Sequence, residues 1–121
     1  MPNLADHILQ ARHNEEFYRA TDKIVYSDWA MTAVYYAALH YIDALLAQVG
    51  VDDPGGHFAR NREVGARAEL RPIARFYFRL KNRSENARYY CYKFPLAELQ
   101  RSYEGDLTAI RNHLLPLAGP R

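Results

Sequence analysis

Residues 28–49, DWAMTAVYYAALHYIDALLAQV, restrict this chain more than any other stretch, because they run without a glycine or proline until Gly50. Ser27 stands before them in a capping position, and Gly50 stands where a helix commonly ends. At 3.6 residues per turn the apolar side chains fall on almost every face, which suits the central helix of a bundle rather than a surface helix with one wet side. Acidic and histidine side chains interrupt the stretch, so no apolar run reaches the roughly 20 residues that a membrane span needs. A helix enclosed on all sides needs neighbours on all sides, and the rest of the chain has to supply them.

Four further helical stretches are available, and no run alternates with the period of two that a strand requires. The first is expected to begin after Asn3, a capping residue, and to reach about Ala20 with Leu4, Ile8, Ala11 and Phe17 toward the core. VDDPGG at 51–56 is a loop, since Pro54 and two glycines cannot continue a helix and Asp52 and Asp53 favour turns. A third helix is expected from about His57 to Leu70, bounded by Pro72. A fourth carries Ile73, Phe76, Leu80 and Ala87 on one face. Pro95 opens the last, which is expected to end around Leu115, just before Pro116. The expected class is all-α, an up-and-down bundle of four long helices plus one shorter helix, with residues 1–121 as a single domain. At this size a chain buries roughly two thirds of its unfolded surface, so a core can form without a metal or a disulfide, and Cys91 has no partner with which to bridge. MPNLADHILQ carries acid and histidine where a signal peptide needs an apolar stretch, and the expected location is the cytoplasm.

Charge is distributed unevenly. Residues 1–59 hold three basic and eight acidic groups, whereas residues 60–93 hold ten basic and three acidic ones. Such a basic segment points to a phosphate-bearing partner or to the acidic half of the same or a neighbouring chain. Within it Arg67, Arg71, Arg75, Arg79 and Arg83 recur every fourth residue, so on an unbroken helix they would lie along one slowly winding edge. Glu63 can pair with Arg67, and the remaining charge is open either to a partner or to solvent. Aromatic residues accompany the arginines as Phe76, Tyr77 and Phe78 and as Tyr89, Tyr90 and Tyr92; at this spacing most belong to the core, and some could stack on bases. On the central helix Asp28, Thr32, Tyr36, His40 and Asp43 form a polar stripe. It is either a wet edge, or a row of partners for arginines of a neighbouring helix, or, with Trp29, the floor of a groove in which His40 titrates.

Several chemistries lack their signatures. There is no phosphate-cradling glycine loop, no HExxH, no cysteine pair and no GxSxG elbow. His7 and His13 are six residues apart, and His57 has no histidine or cysteine at a ligand-like spacing, so neither a metal nor another cofactor is expected.

The segments YSDWAMTAVYYAALHYIDALL, HFARNREV and IARFYFRLKNRSENARYY together resemble small proteins of the HEPN type (higher eukaryotes and prokaryotes nucleotide-binding domain). The resemblance rests on His57-x-x-Arg60 and on Tyr77, Leu80, Ser84, Ala87, Arg88 and Tyr89, and it covers roughly residues 25 to 92. It implies a bundle of four to five helices, often dimeric, that in many members acts with RNA or nucleotides in toxin–antitoxin, defence or stress systems. Active members are metal-independent ribonucleases with an Arg-x4-6-His motif. No arginine here is followed by histidine at that distance, and Arg88 occupies the nearest equivalent place, where a permanently charged group cannot shuttle a proton. The resemblance therefore implies a non-catalytic site: Arg60 and Arg88 neutralise phosphate, His57 and Ser84 exchange hydrogen bonds, and Tyr89 stacks or packs. The same residues could instead form an internal polar network. Two other functions compete: a protein-interaction or homodimer module in which one chain's acidic half meets another's arginine edge, and a ribonuclease using His57 or His40 as a substitute base.

Overall fold

The computed structural model describes residues 2–51 and 54–118, and among them every regular element is helical. Helix α1 spans Leu4–Ala20, α2 spans Ser27–Gln48, α3 spans His57–Ala66 and α4 spans Ala74–Tyr89, with a 3-10 segment at Ala68–Ile73 leading into α4. The C-terminal part is built from α5 (Leu96–Gln100), a π-helical segment (Arg101–Leu107) and α6 (Thr108–Ala118). Gln100, Arg101 and Thr108 keep right-handed helical dihedrals, so these three pieces run on as one rod. The described residues thus form a packed domain of five helical rods without a strand, and none of the helices is long and apolar enough to cross a membrane.

Local chemistry explains the boundaries. The Asn3 side chain accepts the Asp6 N–H at 2.9 Å while the Asp6 carboxylate accepts the Asn3 N–H at 3.0 Å, a reciprocal cap for α1. Gly50, at φ +94°, closes α2: its N–H reaches the Ala47 carbonyl, and the Val51 N–H reaches the Leu46 carbonyl. That pattern requires a left-handed residue, which glycine adopts without strain. Ser27 does not cap α2. It is the first helical residue, and its Oγ accepts the Phe94 N–H at 3.0 Å, tying the segment before Pro95 to the start of the central helix.

Three other expectations are corrected. Helix α3 stops at Ala66 because Arg67 turns extended (φ −82°, ψ 133°), and the chain passes Pro72 in the tighter 3-10 segment. The last rod continues through Pro116 to Ala118, since proline in a final turn forfeits only one bond, to the carbonyl of the exposed Asn112. On α1 the buried set is His7, Ala11, Glu15 and Tyr18, while Leu4 and Ile8 are half-buried and Phe17 is exposed. The helix is rotated because the polar members of its inner face find partners across the interface. Asp52, Asp53 and Gly119, read as loop and chain end, lie outside the described residues.

Helix α2 is the centre of the packing. Tyr35, Tyr41, Ile42, Leu45 and Leu46 are essentially inaccessible and join one core with Ala11 and Tyr18 of α1, Tyr77 and Leu80 of α4, and Leu107, Ile110 and Leu114 of the C-terminal rod. Removing the Ser27 hydroxyl would leave the buried Phe94 N–H without its acceptor. Ser27→Ala is therefore expected to lower stability by about 1–3 kcal/mol in urea unfolding, more than the few tenths typical of an exposed serine.

Candidate functional site

The polar stripe of α2 is partnered along its length. Lys93 holds Asp28 at 3.0 Å, the Thr32 hydroxyl donates to the Asp28 carbonyl, Arg88 donates to the Tyr36 hydroxyl at 2.9 Å, and His40 Nδ1 lies 3.0 Å from His7 Nδ1 of α1. Arg60 of α3 grips Asp43 through two hydrogen bonds, Nε to Oδ1 at 2.7 Å and Nη2 to Oδ2 at 2.9 Å. Of the readings open at the level of sequence, a wet edge is excluded at Thr32 and Asp43, both buried, and pairing with a neighbouring helix's arginines holds at Tyr36 and Asp43.

The residues singled out around the His-x-x-Arg turn come together on this stripe. His57 Nδ1 lies 3.3 Å from Arg60 Nη1 and 3.5 Å from the Tyr35 hydroxyl, which in turn meets the Tyr77 hydroxyl at 3.3 Å; Tyr77 donates to Asn61 at 3.0 Å. Burial, reinforced by Arg60 and Arg88, lowers the His57 pKa, so the ring is neutral. Because guanidinium can only donate, the His57 proton resides on Nε2. Arg60 is buried, and although burial opposes its charge, Asp43 more than compensates and raises its pKa. It stands behind the site as a strut between α2 and α3 instead of facing a ligand.

Arg88 is placed differently. Its Nε and Nη2 donate to the Ser84 carbonyl and hydroxyl at 3.3 and 3.2 Å, and its guanidinium lies 5.0 to 5.8 Å from the ring centres of Tyr35, Tyr36 and Tyr89. Every acceptor is neutral. Among the described residues no carboxylate forms an ion pair with Arg88. It separates two cavities: one of about 150 Å³ walled by Tyr35, His57, Lys81, Glu85 and Tyr89, the other of about 270 Å³ walled by Asp28, Trp29, Thr32 and Ala87. Trp29 and Tyr89, 57% and 67% exposed, flank the cation on either side. Trp29 also lines an adjoining groove of about 300 Å³ with Tyr36 and His40, so the groove and the His57 cluster form one continuous surface centred on Arg88.

The arginine ladder does not form a single edge. Arg67 and Arg71 precede α4, and only Arg75, Arg79 and Arg83 share that helix. Arg67 pairs with Glu63 at 2.7 Å, as its spacing predicts. Arg79 is held bidentately by Asp106 at 2.9 and 3.0 Å; Arg83 reaches Asp106, Ser102 and Glu98. The acid that compensates Arg79 and Arg83 thus comes from the C-terminal rod, whose π-helical segment presents Ser102 and Asp106 to α4, and not from the acidic N-terminal half. Arg75, stacked on Phe76, and Arg71 are the exposed members without an ion pair among the described residues. The aromatic clusters divide: Tyr77 is core, Phe76 and Phe78 are half-buried, and Tyr89, Tyr90 and Tyr92 are exposed.

Sequence spacing missed His7, Tyr35, Lys81 and Asp106. His7 has a legible signal, since it shares a helix face with Ala11, which the sequence places toward the core, and with Glu15. It also meets His40: ligand atoms of His7, His40 and Asp43 lie within 4.8 Å of one another, although His7 is 33 residues from His40 in sequence.

No family model, curated protein or solved structure matches this chain.

The Arg60–Asp43 pair yields a direct test. Arg60→Met should cost about 3–5 kcal/mol by stranding a buried carboxylate, whereas the double variant Arg60→Met, Asp43→Leu should recover most of that loss in urea unfolding.

Proposed function

We propose that this chain is a non-catalytic, HEPN-like up-and-down bundle that binds RNA or a nucleotide, in the cytoplasm and in a defence, stress or toxin–antitoxin setting. The observation that carries this reading is Arg88. A half-buried guanidinium held only by neutral acceptors and aromatic rings keeps its full charge for an anion, and arginine offers a planar fork that fits phosphate. Tyr89 and Trp29 supply faces on which bases can stack. The cavity of about 150 Å³ beside His57 has room for a phosphate group. Ser84 and His57 act here by holding Arg88 and shaping the cavity wall. His57, neutral and with Nδ1 turned to Arg60, has no proton-transfer role in this reading.

A second reading, a homodimer or protein-interaction module, is favoured by one observation. Ile24, Val25 and Tyr26 in the connection between α1 and α2, and Trp29 in the first turn of α2, are 51 to 81% exposed. These side chains supply an apolar driving force; of the acidic half, Glu15 and Asp43 are buried in pairs within the chain, whereas Asp6, Glu16 and Asp22 are exposed. A dimer of this kind should persist at high salt in light scattering across a dilution series, and Ile24→Asp with Val25→Asp should make it monomeric; a monomer throughout counts against it.

Binding is tested by fluorescence anisotropy of labelled single-stranded RNA at low and physiological salt. Affinity should fall steeply with salt, Tyr89→Ala should weaken it by about 1–3 kcal/mol, and Arg88→Gln should reduce the salt slope by roughly 0.7. Unchanged anisotropy at both salts sinks the RNA reading, and decay below the starting value would mean cleavage.

A further inference from the structure

Beneath the groove floor lies a cluster that the RNA reading does not use. His7 and His40, on different helices, point their Nδ1 atoms at each other across 3.0 Å, with ring centres 5.3 Å apart and planes inclined by 31°. Asp43 follows His40 by three residues on the same face of α2, bringing a carboxylate oxygen within 4.8 Å of a ring nitrogen of each histidine. We propose that His7, His40 and Asp43 form a binding site for a divalent transition-metal ion of the Zn²⁺ class.

The cluster can exchange this hydrogen bond for a cation. The two rings meet end to end, since the 5.3 Å between their centres is the Nδ1 separation of 3.0 Å plus the two ring radii, and a single proton lies between the facing Nδ1 atoms. Two nitrogens bound to tetrahedral Zn²⁺ at 2.0–2.1 Å stand roughly 3.3 Å apart, so the rings have to part by a few tenths of an ångström and each turn by roughly 35° to aim its lone pair at the metal. Asp43 is engaged by Arg60 through one hydrogen bond to each oxygen, which leaves lone pairs on both, since a carboxylate offers about four acceptor sites. Arg60 then acts as an outer-shell partner that fixes the carboxylate's orientation. Two nitrogens and one oxygen suit Zn²⁺ and its neighbours better than Mg²⁺ or Ca²⁺, which prefer oxygen alone. His7 and Asp43 are buried, but His40 is half-buried and lines the groove of about 300 Å³, which supplies an entry path and a water for the fourth position.

The protons balance. One ring carries its hydrogen on Nδ1 and the other on Nε2; when the metal enters, the first ring exchanges its Nδ1 proton through solvent for one on Nε2, with no net release. A site so formed would staple α1 to α2. The adjacent Arg60 charge moderates the affinity relative to a site whose carboxylate has no cationic partner.

The test is calorimetric titration of the chelator-treated full chain with ZnCl₂ near neutral pH, paired with Co²⁺ absorption spectra and histidine ring NMR. One equivalent should bind, Co²⁺ should show the intense visible bands of four-coordination, and the His7 and His40 resonances should shift before those of the other three histidines. His7→Ala and His40→Ala should each weaken binding at least about tenfold, a loss seen even for removal of an outer-shell partner, while His13→Ala, an exposed position on α1, should leave it unchanged. The proposal is overturned if the native chain shows no saturable binding, or if folded His7→Ala binds as the native chain does. Should either variant fail to fold, the resonances of the native chain decide: shifts confined to His13, His57 or His113 overturn it equally.

Discussion

Enclosing α2 on every side creates the constraint from which the remaining structure follows. A helix that carries Asp28, Thr32, Tyr36, His40 and Asp43 cannot be buried unless each polar group finds a partner, because an unsatisfied polar group in a low-dielectric interior costs as much as several good contacts return. The neighbouring helices are positioned accordingly. Helix α3 contributes Arg60, α4 contributes Arg88, α1 contributes His7, and the segment before α5 contributes Lys93. Among the described residues no buried side-chain nitrogen or oxygen is left without a hydrogen-bond partner.

The same rule governs the other side of α2. Glu15 of α1, almost fully buried, accepts from Tyr41 of α2, from Tyr103 at 3.0 Å and from Arg111 at 2.5 Å. One carboxylate thereby joins α1, the central helix and the C-terminal rod. Burial, with Glu15 beside it, raises the Tyr41 pKa, so the phenol stays protonated and remains a donor. The π-helical segment serves a similar purpose at α4, where Asp106 absorbs the charge of Arg79 and part of that of Arg83. Its widened turn is supported by the Thr108 hydroxyl, which donates to the carbonyl of Tyr103 five residues earlier.

These pairings decide which cations are available for function. Arg60, Arg67, Arg79, Arg83 and Arg111 are committed to carboxylates of the same chain. Arg88 is committed in position but not in charge, because its partners are hydroxyls, a carbonyl and aromatic rings. That separation of geometric restraint from electrostatic compensation would suit an arginine that binds a phosphate, since it loses little conformational freedom on binding.

Much was legible from residues in order. Helix content, the cap at Asn3, the stop at Gly50, the central place of residues 27–48 and the i,i+4 pair of Glu63 with Arg67 all depend on interactions within a few residues, and the sequence states those directly. The inner face of α1 is not legible from hydrophobicity, because His7 and Glu15 are buried by virtue of partners some thirty to ninety positions away. The arginine ladder was misread for the same reason, since spacing reveals where charges recur but not which distant carboxylate faces them. The sequence by itself therefore determined the helices and the apolar centre, through backbone geometry and periodicity. Only the tertiary structure decided which charges are neutralised, which histidines meet and which arginines stand without a carboxylate partner, because those outcomes depend on distances across packed interfaces.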